Sequence, residues 1–281
     1  MTSQPREFEH AYLVLAHEDV AMINTLVSRL SKTGSVYIHI DKGSPINPEE
    51  ILSLPQIHIF KEYKIKWGGW ASIQATRFLA DQAIDSGALR LTLLSGLSYP
   101  IVSDKRLEEL TCSEIDIFDA GIVDLMTVSR AFKRRFTSRH LEFKLGNSDF
   151  ARIVRRLSRE FFALLPSLNP NRELSPLKLT LGSSWWSVTT QTYVSGLTLL
   201  EVHPQIKKYF KKIECSDESF FGTLFNAVSA NNTNMGTTYV EWGNRGRPIL
   251  LKTVDPELSR GFLFARKFNA LTIETNENFS R

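Results

Sequence analysis

The first half of the chain alternates short apolar runs with stretches of helical periodicity. Residues 11–16 (AYLVLA) are apolar throughout, as in a strand that is covered on both faces. Apolar positions three and four apart then predict a helix through Leu30. Runs at 36–40, 57–60 and 91–94 predict three more strands, and a second helical pattern extends from Ile73 to Gly87. Glycine suits the residue just beyond the C-terminal end of such a helix.

This alternation predicts an α/β fold with a doubly wound, largely parallel sheet. In such folds, polar residues at the carboxyl ends of the strands lie where ligands bind. His17, Asp41 and Ser95 follow three of the predicted strands. Neither a G-x-G-x-x-G motif nor a P-loop accompanies them, so the sequence does not support an ordinary dinucleotide- or ATP-binding fold.

The last third of the chain contains dense local signals. Residues 182–188 (GSSWWSV) contain two adjacent tryptophans, and neighbours in a strand face opposite sides. One tryptophan can therefore pack in the core while the other lines a cleft, although two core tryptophans are equally compatible with the pattern. Ser216 is a natural N-cap for a helix with Asp217 and Glu218 in its first turn. Capping explains one of these acids and does not require both.

The middle of the chain is rich in cations. Those between Phe132 and Arg159 are Lys133, Arg134, Arg135, Arg139, Lys144, Arg152, Arg155, Arg156 and Arg159. A solvated helix face is the ordinary explanation of a charge cluster. A patch for phosphate, lipid headgroups or nucleic acid is the alternative. Residues 152, 155, 156 and 159 share one helical face, as in a helix that touches an anionic membrane.

Composition narrows the class of protein. Of 281 residues, 42% are hydrophobic and 23% charged, which excludes a disordered chain, a collagen and a disulfide scaffold. The two cysteines, Cys112 and Cys215, suit a reducing compartment. The N-terminus is polar, and no run of about 18 apolar residues occurs, so we expect neither a signal peptide nor a spanning helix. A cytoplasmic location is the resulting expectation.

Eight sequence blocks together resemble a known family. In order, they are AYLVLAHED, VYIHIDKGS, WGGWASIQA, LLSGLSYPI, GSSWWSV, CSDESFFGT, YVEWGNR and FLFARKF. This set resembles the core 2 and I-branching β-1,6-N-acetylglucosaminyltransferases and the related peptide O-xylosyltransferases, glycosyltransferase family 14. The resemblance extends from about Ala11 to Phe268. It is poorest in the basic middle, where acceptor-recognising loops are expected.

The resemblance implies a single GT-A-like domain over residues 1–281, with a doubly wound mixed sheet flanked by helices. Residues 11–130 would form its nucleotide-binding half, 131–178 a basic, variable acceptor segment, and 179–270 the catalytic and acceptor half. The implied reaction is an inverting transfer of N-acetylglucosamine or xylose from a UDP-sugar to an acceptor hydroxyl. The resemblance also implies that the reaction requires no metal and no other cofactor. The nearest acidic cluster, residues 116–119 (DIFD), lacks the Asp-x-Asp spacing of a metal-dependent enzyme of this fold.

The resemblance also assigns roles to individual residues. Glu218 falls on the general base, which takes the proton of the attacking hydroxyl. Residues expected to bind the donor are His17 and Asp41 at the nucleoside and Lys252, Arg266 and Lys267 at the diphosphate. The alternative for Arg266 and Lys267 is that they are solvated surface cations with no role at the diphosphate. Residues expected at the acceptor are Trp186 and Trp242, which would stack on a sugar, and Asp217, which would support Glu218 or cap its helix.

The chain also departs from its relatives. Ser98 stands where they commonly have Asp, which leaves the donor sugar open. The animal enzymes have a membrane anchor and several disulfides, and we expect neither here. The chain therefore resembles a bacterial form, which would build surface polysaccharide on a glycan or lipid-linked glycan. The basic segment would then meet the lipid diphosphate or the inner face of the cytoplasmic membrane. The alternative is a non-catalytic carbohydrate- or nucleotide-binding relative. No nucleic-acid partner is expected, since charge alone favours one and no binding module is recognisable.

Overall fold

The computed structural model describes residues 9–66, 68–139, 167–243, 247–253 and 255–274. Within these ranges the strands are β1 His10–Ala16, β2 Ser35–Ile40, β3 Ile57–Phe60, β4 Arg90–Ser95, β5 Ser98–Pro100, β6 Gly121–Ile122, β7 Thr180–Leu181, β8 Ser187–Thr189, β9 Thr238–Val240 and β10 Phe264–Arg266. The helices are α1 Val20–Leu30, α2 Ala71–Asp85, α3 Asp104–Thr111, α4 Arg130–Thr137, α5 Pro170–Glu173, α6 Thr190–Val202, α7 Pro204–Phe210, α8 Phe220–Val228 and α9 Ala270–Glu274. Short 3-10 turns cover Pro48–Glu50, Ser216–Glu218 and Pro256–Arg260. The four strands and two helices predicted in the first half are all confirmed.

The main sheet has the strand order β3-β2-β1-β4-β8, and all pairs are parallel except the antiparallel pair of β4 and β8. The central strands β1, β2 and β4 are buried along almost their whole length because both faces of the sheet are covered. Leu13 points into a core formed with α2, α6 and α8, whereas its neighbour Val14 points into a core formed with α1 and α3. The predicted fold class, an α/β fold with a mixed sheet flanked by helices, is confirmed.

The direction of winding reverses between β1 and β4. From β1 the chain moves outward to β2 and β3, and then returns to place β4 on the other side of β1. The carboxyl ends of β1 and β4 therefore border the crevice in which open α/β sheets bind ligands. Gly96, just after β4, donates its N–H to the Leu15 carbonyl at 2.8 Å and lies tightly against the end of β1.

A second, three-stranded sheet has the order β5-β10-β9. Strand β5 follows β4 almost directly and pairs antiparallel with β10, so that Arg266 lies opposite Ser98. This pairing carries the C-terminal residues Arg266 and Lys267 back to the carboxyl edge of the main sheet, about 250 residues after β1. The position of the candidate site depends on this return.

A buried polar chain ties β8 to the middle of the sheet. The fully buried Arg90 donates to the Ser187 hydroxyl at 3.1 Å and to the Ile115 carbonyl at 3.0 Å. Thr92 Oγ1 bridges the Ser187 hydroxyl and His10 Nε2, each at 2.8 Å. Burial, together with the charge of Arg90, lowers the pKa of His10 to about 3, so this imidazole is neutral in the folded protein.

Part of the basic middle lies outside the described residues. That part includes Lys144 and the predicted helical face of residues 152, 155, 156 and 159. Its beginning is described, since α4 carries Lys133, Arg134 and Arg135. None of the helices in the described ranges has the length and apolar character that a membrane crossing requires.

Candidate active site

The ends of β1 and β2 form one wall of the crevice. Asp41 follows β2, and its Oδ1 accepts the N–H groups of Gly43 at 2.8 Å and Ile65 at 3.0 Å. It therefore orders the loops that follow β2 and β3. His17 follows β1, its side chain is exposed, and its carbonyl accepts the Ser44 hydroxyl at 2.8 Å. The structure thus brings the two predicted nucleoside residues to one edge.

Arg266, the last residue of β10, and Lys267, which follows it, face this wall. Lys267 Nζ donates to Glu18 Oε1 at 2.8 Å, and this hydrogen bond lowers the pKa of Glu18. The Arg266 guanidinium lies 5.0 Å from the centroid of the Trp185 ring, and its buried Nε has no hydrogen-bond partner among the described residues. Burial lowers the pKa of Arg266, an effect that the charge of Glu18 opposes. A half-buried cation whose Nε has no partner among the described residues suits an anionic ligand, because leaving a buried polar group or charge unpaired is costly.

Lys252 lies on a segment beside Lys267. The N–H of Leu251 donates to the Lys267 carbonyl at 2.8 Å, so this backbone contact brings the segment next to the basic pair. The Lys252 side chain is exposed. The backbone of Lys252 therefore lies near that of Lys267, at the end of β10.

Glu218 lies in a 3-10 turn rather than in the first turn of an α-helix, which begins only at Phe220. The prediction of Ser216 as an N-cap is therefore wrong, and its buried hydroxyl has no partner among the described residues. Backbone contacts with two distant segments fix this turn instead. The Cys215 N–H donates to the Gly68 carbonyl at 2.9 Å, and the Gly182 N–H donates to the Glu218 carbonyl at 3.0 Å.

The two acids of this turn have different surroundings. The Glu218 side chain is 36% exposed, and its Oε2 accepts a hydrogen bond from the Arg135 guanidinium at 2.7 Å. Asp217 Oδ2 accepts the Ser184 hydroxyl at 3.1 Å, while its Oδ1 is buried without a partner among the described residues. Burial and the nearby charge of Glu218 raise the pKa of Asp217. Of the pair, Glu218 is thus the ion-paired and accessible carboxylate, and Asp217 supports the turn from inside.

The tryptophan assignment needs a correction. Trp186 is 2% exposed, and its ring contacts Tyr193, Phe221 and Phe225 in the core. No face of this ring is left for a sugar, contrary to its predicted acceptor role. Its neighbour Trp185 is partly exposed, packs against the margin of the same core and lies against Arg266. Trp185, and not Trp186, is therefore the tryptophan of the candidate site.

Trp242 lies just beyond β9 and is 63% exposed. An aromatic ring this open can stack on a ligand. The structure thus leaves Trp242 available for the predicted acceptor contact, which itself stays a prediction.

The acidic cluster at 116–119 belongs to the framework of the protein. The buried carboxylate of Asp116 accepts the Thr189 N–H at 2.9 Å and the hydroxyls of Thr192 and Ser229 at 2.6 Å each. In the described ranges, no three or more His, Cys, Asp or Glu side chains group in a way that could hold a metal ion.

Sequence reasoning missed three contacts in this site. It did not assign Glu18 as the partner of Lys267, Trp185 as the partner of Arg266, or Arg135 as the partner of Glu218. Glu18 directly follows His17, so the end of β1 was already a signal. Arg135 belongs to a recognised basic cluster, but 83 positions separate it from Glu218, and no spacing rule connects them.

Comparisons with known proteins extend this picture. The model of the core-2/I-branching enzyme family matches residues 10–256. No curated protein matches the sequence. Among solved structures, a 4-diphosphocytidyl-2C-methyl-D-erythritol synthase is similar at 9% identity, with 89% of this chain and 95% of that chain covered and a TM-score of 0.38. A mannose-1-phosphate geranyltransferase from Thermus thermophilus is similar at 10% identity, with 80% and 69% covered and a TM-score of 0.32. These TM-scores are too low to carry an argument.

Proposed function

The chain belongs to the core-2/I-branching enzyme family, whose model matches residues 10–256, and we propose that it is an inverting, UDP-sugar-dependent glycosyltransferase. Membership of the family makes it a glycosyltransferase, with a sugar donor and a glycan acceptor. The donor, the stereochemistry and the independence of metal are the proposed parts. The observation that supports them is a run of contacts between the acidic turn and the cations: Asp217, next to Glu218, accepts the Ser184 hydroxyl, and Trp185, next to Ser184, lies against Arg266.

In the proposed reaction, Glu218 takes the proton of the acceptor hydroxyl. The hydroxyl oxygen attacks the anomeric carbon from the face opposite UDP, and the bond from that carbon to the UDP oxygen breaks. UDP leaves with the bonding electron pair, through a transition state with oxocarbenium character. Glu218 is accessible and ion-paired, whereas Asp217 is buried and has a raised pKa, and this difference supports the assignment of Glu218 as the base.

Charge on the departing UDP must be neutralised, and we assign this task to Arg266 and Lys267. Such preorganised cations stabilise charge that develops in the transition state. The Nε of Arg266, which has no hydrogen-bond partner in the described part of the chain, supports the assignment, as does the placement of Lys267 beside Glu18. Lys252 is the third cation of the proposed clamp. Trp185 orients Arg266, while Asp41 and His17 contact the nucleoside.

The proposed clamp requires no metal, because side-chain cations take the place of a bound ion. Transfer in excess EDTA should therefore equal transfer without it. Complete loss in EDTA that manganese restores would refute this part of the proposal. The control is EDTA already saturated with calcium, which separates chelation from other effects of the compound.

The proposed setting is the synthesis of bacterial surface polysaccharide on a lipid-linked glycan, at the inner face of the cytoplasmic membrane. Arg130 and Arg134 are exposed and lie one turn apart on α4, which favours contact with anionic headgroups. Flotation with vesicles that contain phosphatidylglycerol, compared with neutral vesicles, tests this part. Equal recovery with both would refute it.

The donor is tested by screening UDP-sugars, with UDP-N-acetylglucosamine and UDP-xylose first. Thermal shift and hydrolysis identify the donor, and NMR of the product identifies the anomer. Glu218→Gln should lower transfer by about 10²- to 10⁴-fold, the usual contribution of a general base, while UDP binding is kept. Glu201→Gln, at an exposed acid on α6, is the matched control. Normal turnover by Glu218→Gln would refute the base, and inactivity with every donor and acceptor would favour a non-catalytic relative.

A further inference from the structure

Arg135 reaches Glu218 from the first helix of the basic segment. One of its terminal nitrogens donates to Glu218 Oε2 at 2.7 Å and to the Cys215 carbonyl at 3.0 Å. Its Nε donates to the Glu214 carbonyl at 3.4 Å. A single guanidinium thus binds the backbone that precedes the acidic turn and the carboxylate that the turn presents.

Helix α4 is itself fixed in the core, so this reach is set by packing. Ser129 caps the helix through a hydrogen bond from the Phe132 N–H at 3.3 Å. Phe136 is fully buried, and its carbonyl accepts the Tyr209 hydroxyl at 3.0 Å. The adjacent Arg135 is only 20% exposed, whereas Arg134 on the same helix is exposed. Arg135 is therefore a held side chain, unlike a solvated member of a charge cluster.

We propose that Arg135 is a positioning residue that holds the Glu218 carboxylate in the orientation required for proton abstraction. The inference rests on the proposed function, since it presupposes that Glu218 is the base. A glutamate that is 36% exposed has several rotamers available. The hydrogen bond to Oε2 selects one of them and leaves Oε1 to receive the acceptor proton. Arg135 contacts neither substrate in this scheme and acts only through Glu218.

A planar guanidinium suits this task better than an ammonium would. Its nitrogens point in fixed directions, so one group can bind two carbonyls and a carboxylate at once. Lysine keeps the charge but is a point donor on a flexible stem. Arg135→Lys should therefore retain part of the effect, and Arg135→Ala none of it.

The experiment measures kcat and donor KM for Arg135→Ala and Arg135→Lys. Arg106→Ala is the matched control, since Arg106 is an exposed arginine on α3 that pairs with a carboxylate, that of Glu109. Misplacement of a catalytic group by about 1 Å can cost about 10²-fold in rate. We expect kcat of Arg135→Ala to fall by about that factor, with donor KM and UDP affinity unchanged and Arg135→Lys intermediate. Millimolar guanidinium should restore part of the rate of Arg135→Ala, whereas the same concentration of sodium chloride should not.

A purely structural role would give a different pattern. If Arg135 only anchors the loop, kcat and UDP affinity should fall together with the thermal midpoint, and guanidinium should not restore the rate; that pattern overturns the inference. In a double-mutant cycle, Arg135→Ala should cost nothing further in a Glu218→Gln background, because residues that act as a unit are non-additive. Full additivity, or full activity of Arg135→Ala beside an inactive Glu218→Gln, would overturn the inference alone. An active Glu218→Gln would instead refute the proposed function.

Discussion

Replacement of Gly182 by alanine should lower both the stability of the fold and the rate of transfer. It directly follows β7, and a Cβ atom at this position would lie 1.9 Å from the Asp119 carbonyl oxygen and 2.5 Å from its carbon. Its N–H also donates to the Glu218 carbonyl at 3.0 Å. Since real Cβ atoms essentially never approach another atom within 3.0 Å, Gly182→Ala must separate two backbones by 3.0 − 1.9 = 1.1 Å or more.

The expected size of the effect follows from that displacement. Forcing a methyl group into a packed site typically costs about 1–3 kcal/mol of unfolding free energy. The displaced N–H pulls on the backbone of Glu218, and a 1 Å error at a catalytic group costs about 10²-fold in rate. We therefore expect both losses in Gly182→Ala, with UDP binding less affected because Arg266 and Lys267 lie at the end of β10, in another sheet.

The assay combines urea unfolding with initial rates of transfer. Gly121→Ala is the matched control, since Gly121 lies opposite Leu181 in the same two-stranded ribbon and its added Cβ meets nothing closer than 3.5 Å. That control should keep its rate and stay within about 0.5 kcal/mol of the parent, as ordinary surface changes do. A Gly182→Ala protein with the parent's midpoint and rate would refute the close approach. A loss of stability with an unchanged rate would refute the inference that the displacement of Gly182 reaches Glu218.

Three other predictions concern buried groups. The pKa of His10 is about 3 in the folded protein and 6.5 ordinarily, so protonation favours the unfolded chain, and the stability that His10 contributes above pH 6.5 is lost as the pH falls toward 3. Between pH 8 and pH 5 this loss is about 2 kcal/mol by linkage, and urea unfolding of His10→Gln should lack that share; equal slopes in both proteins would contradict it. The pKa of Asp217 is raised, so its ionised form destabilises the fold at pH values above the ordinary pKa of an aspartate. Asp217→Asn should therefore raise the thermal midpoint at pH 7 and leave it unchanged below about pH 4. An equal gain at both pH values would argue against this reasoning. Trp186→Ala should cost about 3–5 kcal/mol as a core cavity, whereas Trp185→Ala should stay folded and lose UDP affinity by a few-fold as its contact with Arg266 disappears; the reverse outcome would restore Trp186 to the site.

Much of the fold could be predicted from the chain because its signals are local. The apolar run of β1 and the periodicity of α1 each lie within about ten residues, and burial on the sheet satisfies both without conflict. The parallel direction of β1 to β4 also follows from alternation, since a strand–helix–strand connection favours parallel strands, whereas the strand order does not. The resemblance added the candidate roles of Glu218, Arg266 and Lys267, and the structure places the last two at the carboxyl edge beside Glu18.

Other features lay beyond local patterns. The sequence does not say which of the two adjacent tryptophans is buried. Both precede β8, and the Trp186 carbonyl accepts the Leu93 N–H at 2.8 Å; Trp186 is buried there, whereas Trp185 is partly exposed and lies against Arg266. Ser216 has the residue type of an N-cap, yet backbone contacts from Gly68 and Gly182 shape the turn instead. Local propensity is a weak prior, and tertiary contacts override it.

The sequence by itself determined the layers of this protein, the residues of its core strands and the residue types available for acid–base and anion chemistry. Only the tertiary structure decided which of them meet. The contact between Arg135 and Glu218 joins residues 83 positions apart, and that between Glu18 and Lys267 joins residues 249 positions apart. Periodicity is set by neighbours along the chain, whereas these contacts exist because β10 returns to β5 and because Phe136 anchors α4 beside the acidic turn.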